Sequence, residues 1–145
     1  MKTMDRRRNR LFLLAIAVLL VAGAGTIKLA ISAEGEKESV RAYIDDECRS
    51  NPAEFSVPEG KTATGFSSSG VKEGKACHDG GAPENVGYSI RDGKGKPVYM
   101  WSRYKDQPPY EKGGPLSSVE LYPGDYKLTV AGGAGAEVVV SYTLK

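Results

Sequence analysis

An all-β fold, a small antiparallel β-sandwich of about seven strands, is what the residues from Ala53 onward predict, and three observations lead there. Fifteen of the 18 glycines and seven of the 8 prolines fall in residues 53–145, where they punctuate short runs. Those runs alternate apolar and polar residues with period two, which lines one face of a strand for burial and leaves the other wet. Between them lie Gly, Pro, Asp and Asn clusters of the kind that turn chains rather than extend helices.

The N-terminus has a different character. Residues 11–27 carry no charge over 17 residues, the lower edge of what spans a hydrocarbon core of about 30 Å. Lys28 follows, with a stem long enough to reach a headgroup layer. Arg6, Arg7, Arg8 and Arg10 precede the run, so the positive-inside rule keeps the N-terminus cytoplasmic and exports the rest. Residues 1–33 therefore read as a single-pass anchor in the inner membrane or as a cleaved signal peptide. Ala22-Gly23-Ala24 and Ile31-Ser32-Ala33 are candidate cleavage patterns.

Charge follows the same division. The whole chain is +2, but residues 1–33 hold six cations and one anion, which leaves 14 cations, 17 anions and a net −3 beyond them. An exported part of that sign lacks the dense basic face that nucleic acid requires.

Residues 34–52 are polar, with Val40, Tyr43, Ile44 and Cys48 at i, i+3, i+4 and i+8. That spacing predicts a short juxtamembrane helix or stalk ended by Pro52. Seven strands are then expected at Glu54–Val57, Thr62–Ser68, Val86–Arg91, Val98–Tyr104, Leu116–Leu121, Asp125–Ala131 and Glu137–Leu144. The predicted inward sets are Val86, Tyr88, Ile90; Val119, Leu121; Tyr126, Leu128, Val130; and Val138, Val140, Tyr142, Leu144. Asp92-Gly93-Lys94-Gly95 is a tight hairpin sequence, and Tyr122-Pro123-Gly124-Asp125 has Pro and Gly where a type II turn wants them. Gly132-Gly133-Ala134-Gly135 is expected to join the last two strands as a hairpin. Cys48 and Cys77 are the only cysteines, and an even count in an exported domain predicts a disulfide, here pinning the long loop Val71–Asn85.

The segment from Val119 through Tyr122-Pro123-Gly124-Asp125-Tyr126 to Val130, with the closing run Val140–Leu144, resembles the end of bacterial pre-peptidase C-terminal domains and related GOLD-type jelly-roll sandwiches. The resemblance covers residues 53–145 and implies a non-catalytic accessory or binding module of the cell envelope. An apolar segment stands in this chain where that family has a protease.

Catalytic inventories come out short. His78 is the only histidine, so a two-histidine copper site and a mononuclear zinc site lack ligands, and the C-x-x-C-H haem motif fails because residue 74 is Gly. Gly65-Phe66-Ser67-Ser68 is not a nucleophile elbow. Asp45-Asp46-Glu47 reads as a solvated charged face, and Lys94 and Lys96 stand where a calcium loop would need carboxylates. No enzyme activity, cofactor or metal is expected. The suggestive patch is Tyr99, Trp101, Arg103, Tyr104 and Tyr110. If Val98 and Met100 face the core, Tyr99 and Trp101 lie exposed beside Arg103 as a platform for a protein partner or a glycan; in the other register, Trp101 is core. The function expected is a membrane-anchored envelope module that binds a partner protein, or, if the signal is cleaved, a secreted glycan- or cell-wall-binding module.

Overall fold

Two antiparallel sheets lie face to face in the computed structural model, which describes residues 35–145. The nine strands among them are β1 (Glu36–Ile44), β2 (Ser50–Asn51), β3 (Ala53–Val57), β4 (Ala63–Ser68), β5 (Val86–Asp92), β6 (Pro97–Arg103), β7 (Tyr110–Lys112), β8 (Gly124–Ala131) and β9 (Glu137–Leu144). One sheet runs β2-β1-β9-β4 and the other β3-β8-β5-β6-β7. The all-β sandwich expected from the sequence is present. The apolar segment 11–27 lies outside the described residues.

The predicted juxtamembrane helix is instead strand β1. Val40, Ala42 and Ile44 point inward with period two, and β1 pairs with β9 from Glu36↔Leu144 to Tyr43↔Glu137. Tyr43 belongs to the opposite face, where the Arg41 guanidinium stacks 4.4 Å from its ring centroid. Eight cross-strand pairs on a buried partner outweigh the weak helical spacing of a polar segment. The sandwich therefore begins at Glu36 rather than Ala53, and Glu36–Lys145 forms one unit.

Three further expectations change. Leu116–Leu121 is a 3-10 turn, Leu116–Ser118, followed by a single bridge from Leu121 to Ala63 on the outer edge of β4. Val119 and Leu121 are nonetheless buried as their alternation requires. The run through Tyr122-Pro123-Gly124 bends without a backbone turn bond; the Tyr122 carbonyl accepts the Tyr126 hydroxyl at 2.7 Å. The last two strands do not form a hairpin, because β8 and β9 belong to different sheets and residues 132–135 cross between them. The hairpin at Asp92 holds: its carboxylate accepts the Lys94 and Lys96 amides at 3.0 and 2.9 Å, with Gly95 at φ +80°.

The core is what the alternation dictates. Leu128, Ile90, Val138, Val140 and Ala42 are fully buried between the sheets. Phe55 of the five-stranded sheet and Phe66 of the four-stranded sheet both pack on Tyr142, with ring centroids 5.4 and 5.3 Å away. The sheet edges are blunted: β3 lies between Pro52 and Pro58, β7 between Pro109 and Pro115, and the edge of β4 is occupied in part by Leu121.

Cys48 and Cys77 are disulfide-bonded, Cα to Cα 5.8 Å, closing a separation of 29 residues. A loop of that length is worth about 3–4 kcal/mol on the chain-entropy model. The loop after β4 also touches the 132–136 crossover backbone to backbone. A Cβ on Gly133 would stand 2.1 Å from the Lys75 carbonyl oxygen, and one on Gly74 2.2 Å from that of Ala134. Only glycine fits at either position.

The register of β1 is directly testable. Ala42→Asp would bury a carboxylate with no partner against Val138 and is expected to cost about 4 kcal/mol or more, whereas Ser39→Asp on the wet face should change stability by less than about 0.5 kcal/mol. Urea unfolding of both variants checks this; equal, small effects would mean that 36–44 is a stalk after all.

Candidate functional site

The register of β6 decides which aromatic residues reach the surface. Tyr99 pairs with Ile90, Trp101 with Tyr88 and Arg103 with Val86, so all three share the inner row of the five-stranded sheet. Tyr99 is 2 % exposed and Trp101 is half-buried against the core, its ring 5.8 Å from Tyr88. The Tyr99 hydroxyl donates to Glu111 Oε1 at 2.6 Å, and burial first, then this bond, raises its pKa far above the usual phenol range. Arg103 is ion-paired with Glu73 of the long loop. Of the two registers the sequence leaves open, the structure has the one that turns Tyr99 and Trp101 inward. Tyr99, Trp101 and Arg103 therefore do not form the exposed platform: the rings pack on the core and Arg103 clamps the long loop. The physical reason is area: two large rings turned inward remove more apolar surface from water than Val98 and Met100.

Tyr104 and Tyr110 remain, 51 % and 54 % exposed. Tyr110 is the cross-strand partner of Ser102, and Tyr104 lies two residues beyond Ser102, so both rise at one end of the outer face of this sheet. Between Tyr104 and β8 lies a shallow depression with Gly87, Ser89, Ser102, Thr129 and Ala131 in its lining and Met100 beside them; Tyr110 is not part of that lining. Its floor is low because β5 presents Gly87 there; a Cβ would stand 2.9 Å from the Trp101 carbonyl oxygen. Ser89 is 5 % exposed and its hydroxyl is bonded to that of Thr129 at 2.8 Å. The wall is fixed from behind: Asn85 Oδ1 accepts the Lys105 amide at 2.9 Å, and Lys105 pairs with Glu84 at 3.5 Å. Gly87 and Ala131 carry no signal of this site in the sequence, and Met100 figures there only as a candidate core residue. The β5–β6 and β5–β8 pairings that bring them together are long-range facts.

A second depression at the other end of the same face is lined by Glu54, Ser56, Arg91, Asp92, Asp125 and Lys127. Its charges are committed locally: Lys127 to Glu54 at 3.3 Å, Ser56 to Asp125 at 2.6 Å, Arg91 to the Gly95 carbonyl at 3.0 Å. Such groups organise strand pairs and a hairpin rather than a ligand.

The remaining candidates resolve into structure. His78 is exposed, its Nδ1 3.3 Å from the Asp79 carbonyl. Asp45 caps a turn, accepting the Glu47 and Arg49 amides at 3.0 and 2.8 Å, and the Arg49 amide and guanidinium hold its carboxyl below the usual range. Among the described residues, no three His, Cys, Asp or Glu side chains stand close enough together to hold a metal ion.

No protein-family model matches the chain, and no curated protein matches it.

Truncation should separate the two kinds of aromatic. Tyr99→Ala is expected to lose about 3–5 kcal/mol of stability in chemical denaturation, while Tyr104→Ala and Tyr110→Ala each shift it by less than about 0.5 kcal/mol.

Proposed function

We propose that this chain is a non-catalytic, single-pass envelope protein whose exported sandwich binds a partner protein through the Tyr104–Tyr110 end of its five-stranded sheet. The carrying observation is a pair of half-exposed tyrosines, Tyr104 in the wall of a depression floored by small residues and Tyr110 across from its Ser102. Tyrosines of that kind supply large, rigid contact area at little entropic cost and are enriched among interface anchors. Ala131, Gly87, Ser102 and Tyr110 form a row across the sheet, at the end of the sandwich opposite the one where β1 meets Leu144. The Cys48–Cys77 disulfide supports an oxidising, extracytoplasmic location.

The strand orders β1-β9-β4, with Leu121 beyond β4, and β3-β8-β5-β6 support the likeness to a jelly roll of the pre-peptidase C-terminal and GOLD kind. What that likeness lends is an accessory, binding role rather than a reaction. One feature favours a second reading, a secreted glycan-binding module: the Ser102 hydroxyl and the exposed Tyr104 ring beside it offer a hydrogen bond and a stacking surface for a sugar.

Extraction from membranes in mild detergent, followed by native mass measurement, tests the proposal. The wild-type chain is expected in a heteromeric complex at full length, with at least tenfold less partner retained by the Tyr104→Ala/Tyr110→Ala double variant. Undiminished partner binding by the double variant would overturn the site. A shortened, solitary chain retained on polysaccharide would establish the second reading instead.

A further inference from the structure

The disulfide joins two exposed segments, the β1–β2 turn and the loop after β4. Around Cys48 the turn is self-contained: the Asp45 carbonyl accepts the Cys48 amide at 3.0 Å, and the Asp45 amide donates to the Arg49 carbonyl at 3.0 Å. On the other side, residues up to Lys75 are held by paired backbone bonds, Lys72 with Glu137 and Lys75 with Ala134. Beyond Lys75 the hydrogen bonds of residues 76–83 are local ones, the Gly81 amide to the His78 carbonyl at 3.0 Å and the Asn85 amide to the Ala82 carbonyl at 3.0 Å. The next ties to the sandwich are Glu84 and Asn85, which hold Lys105. The Cys77 sulfur is thus the one covalent fastening between 76–83 and the β1–β2 turn.

Both half-cystines are exposed, so a dithiol can approach either sulfur without the sheets opening. Cys48 also sits at φ +63°, a left-handed conformation that an L-residue holds only at an energetic cost. The hydrophobic core lies elsewhere, between the sheets.

We infer that Cys48–Cys77 is a site of thiol–disulfide exchange on the folded protein, with an extracytoplasmic dithiol as reductant, and that it works as a clasp on residues 76–83. A thiolate of the dithiol attacks one exposed sulfur; the S–S bond breaks and a mixed disulfide forms. The second thiol of the reductant then displaces the protein cysteine. Cys48 and Cys77 end as thiols, and the reductant, having given two electrons and two protons, ends as its own disulfide. The opened segment stays tethered at Lys75 and at Asn85. Because Glu84 and Asn85 hold Lys105, the clasp sits one link from Tyr104. The inference stands on the disulfide and its surroundings and does not require the tyrosines to bind anything.

The purified full chain in mild detergent is treated with dithiothreitol over a concentration series, the thiols are trapped with a maleimide, and the products are counted by intact mass. The expected rate is proportional to dithiothreitol and at least tenfold faster than global unfolding. The reduced chain should keep its β-sheet circular dichroism, with amide exchange quickened in 76–83 and unchanged in β9. A rate that levels off at the unfolding rate would overturn the inference, because the bond would then be reached only through the unfolded state. So would loss of the sheet signal on reduction.

Discussion

Strand β9 is the constraint on which the rest depends. It lies between β1 and β4 and presents Val138, Val140, Tyr142 and Leu144 to the opposite sheet, each at most 7 % exposed. Its pairing recruits the first described strand and the last stretch of chain into one sheet, so the ends of the domain meet at Glu36 and Leu144. Because its predecessor β8 belongs to the other sheet, the chain must cross the core in residues 132–136. That crossing satisfies its backbone on neighbours: the Gly135 amide donates to the Ile44 carbonyl at 2.8 Å and the Ala134 amide to Lys75 at 2.7 Å. The glycines at 74 and 133 follow from it, since two backbones meet there with no room for a Cβ.

The surface is a consequence of how that core is filled. Once β5 and β6 are paired in register, Tyr88, Tyr99 and Trp101 form one inward cluster of tilted rings, with Tyr88 5.7 Å from Tyr99 and 5.8 Å from Trp101. The outer face of the same strands receives Gly87, Ser89, Met100 and Ser102, which are short or flexible. Tyr104 and Tyr110 escape burial because they lie on the outer side of this sheet, just past the end of β6 and on the edge strand β7. The recognition surface proposed for this molecule is therefore small, peripheral and supported by side-chain ties through Asn85 and Glu84.

Much of this was legible in the residues. Strict alternation at Val138–Leu144 and Val86–Ile90 identified the inward face of both strands, and an even count of two cysteines pointed to the disulfide. What failed had a common cause. In β1 the apolar residues fit both a helical and an extended spacing, and only the waiting edge of β9 selects the latter. In β6 both faces are apolar, so local pattern could not choose between Tyr99 and Met100. In 116–121 the alternation marked burial correctly, but pairing shrank to one bridge because Pro115 and the 3-10 turn leave no room for a ladder. The depression beside Tyr104 gathers β5, β6 and β8, and no local window contains all three.

Site-specific photo-crosslinking in intact cells tests the central claim, that the tyrosine end of the five-stranded sheet meets a protein partner. A photoreactive phenylalanine would replace Tyr110 in one strain and Ser141, on the outer face of the other sheet, in a second. The account predicts one discrete heteromeric adduct from position 110 and none from position 141. Adducts from 141 alone, or no protein adduct from 110, would contradict it.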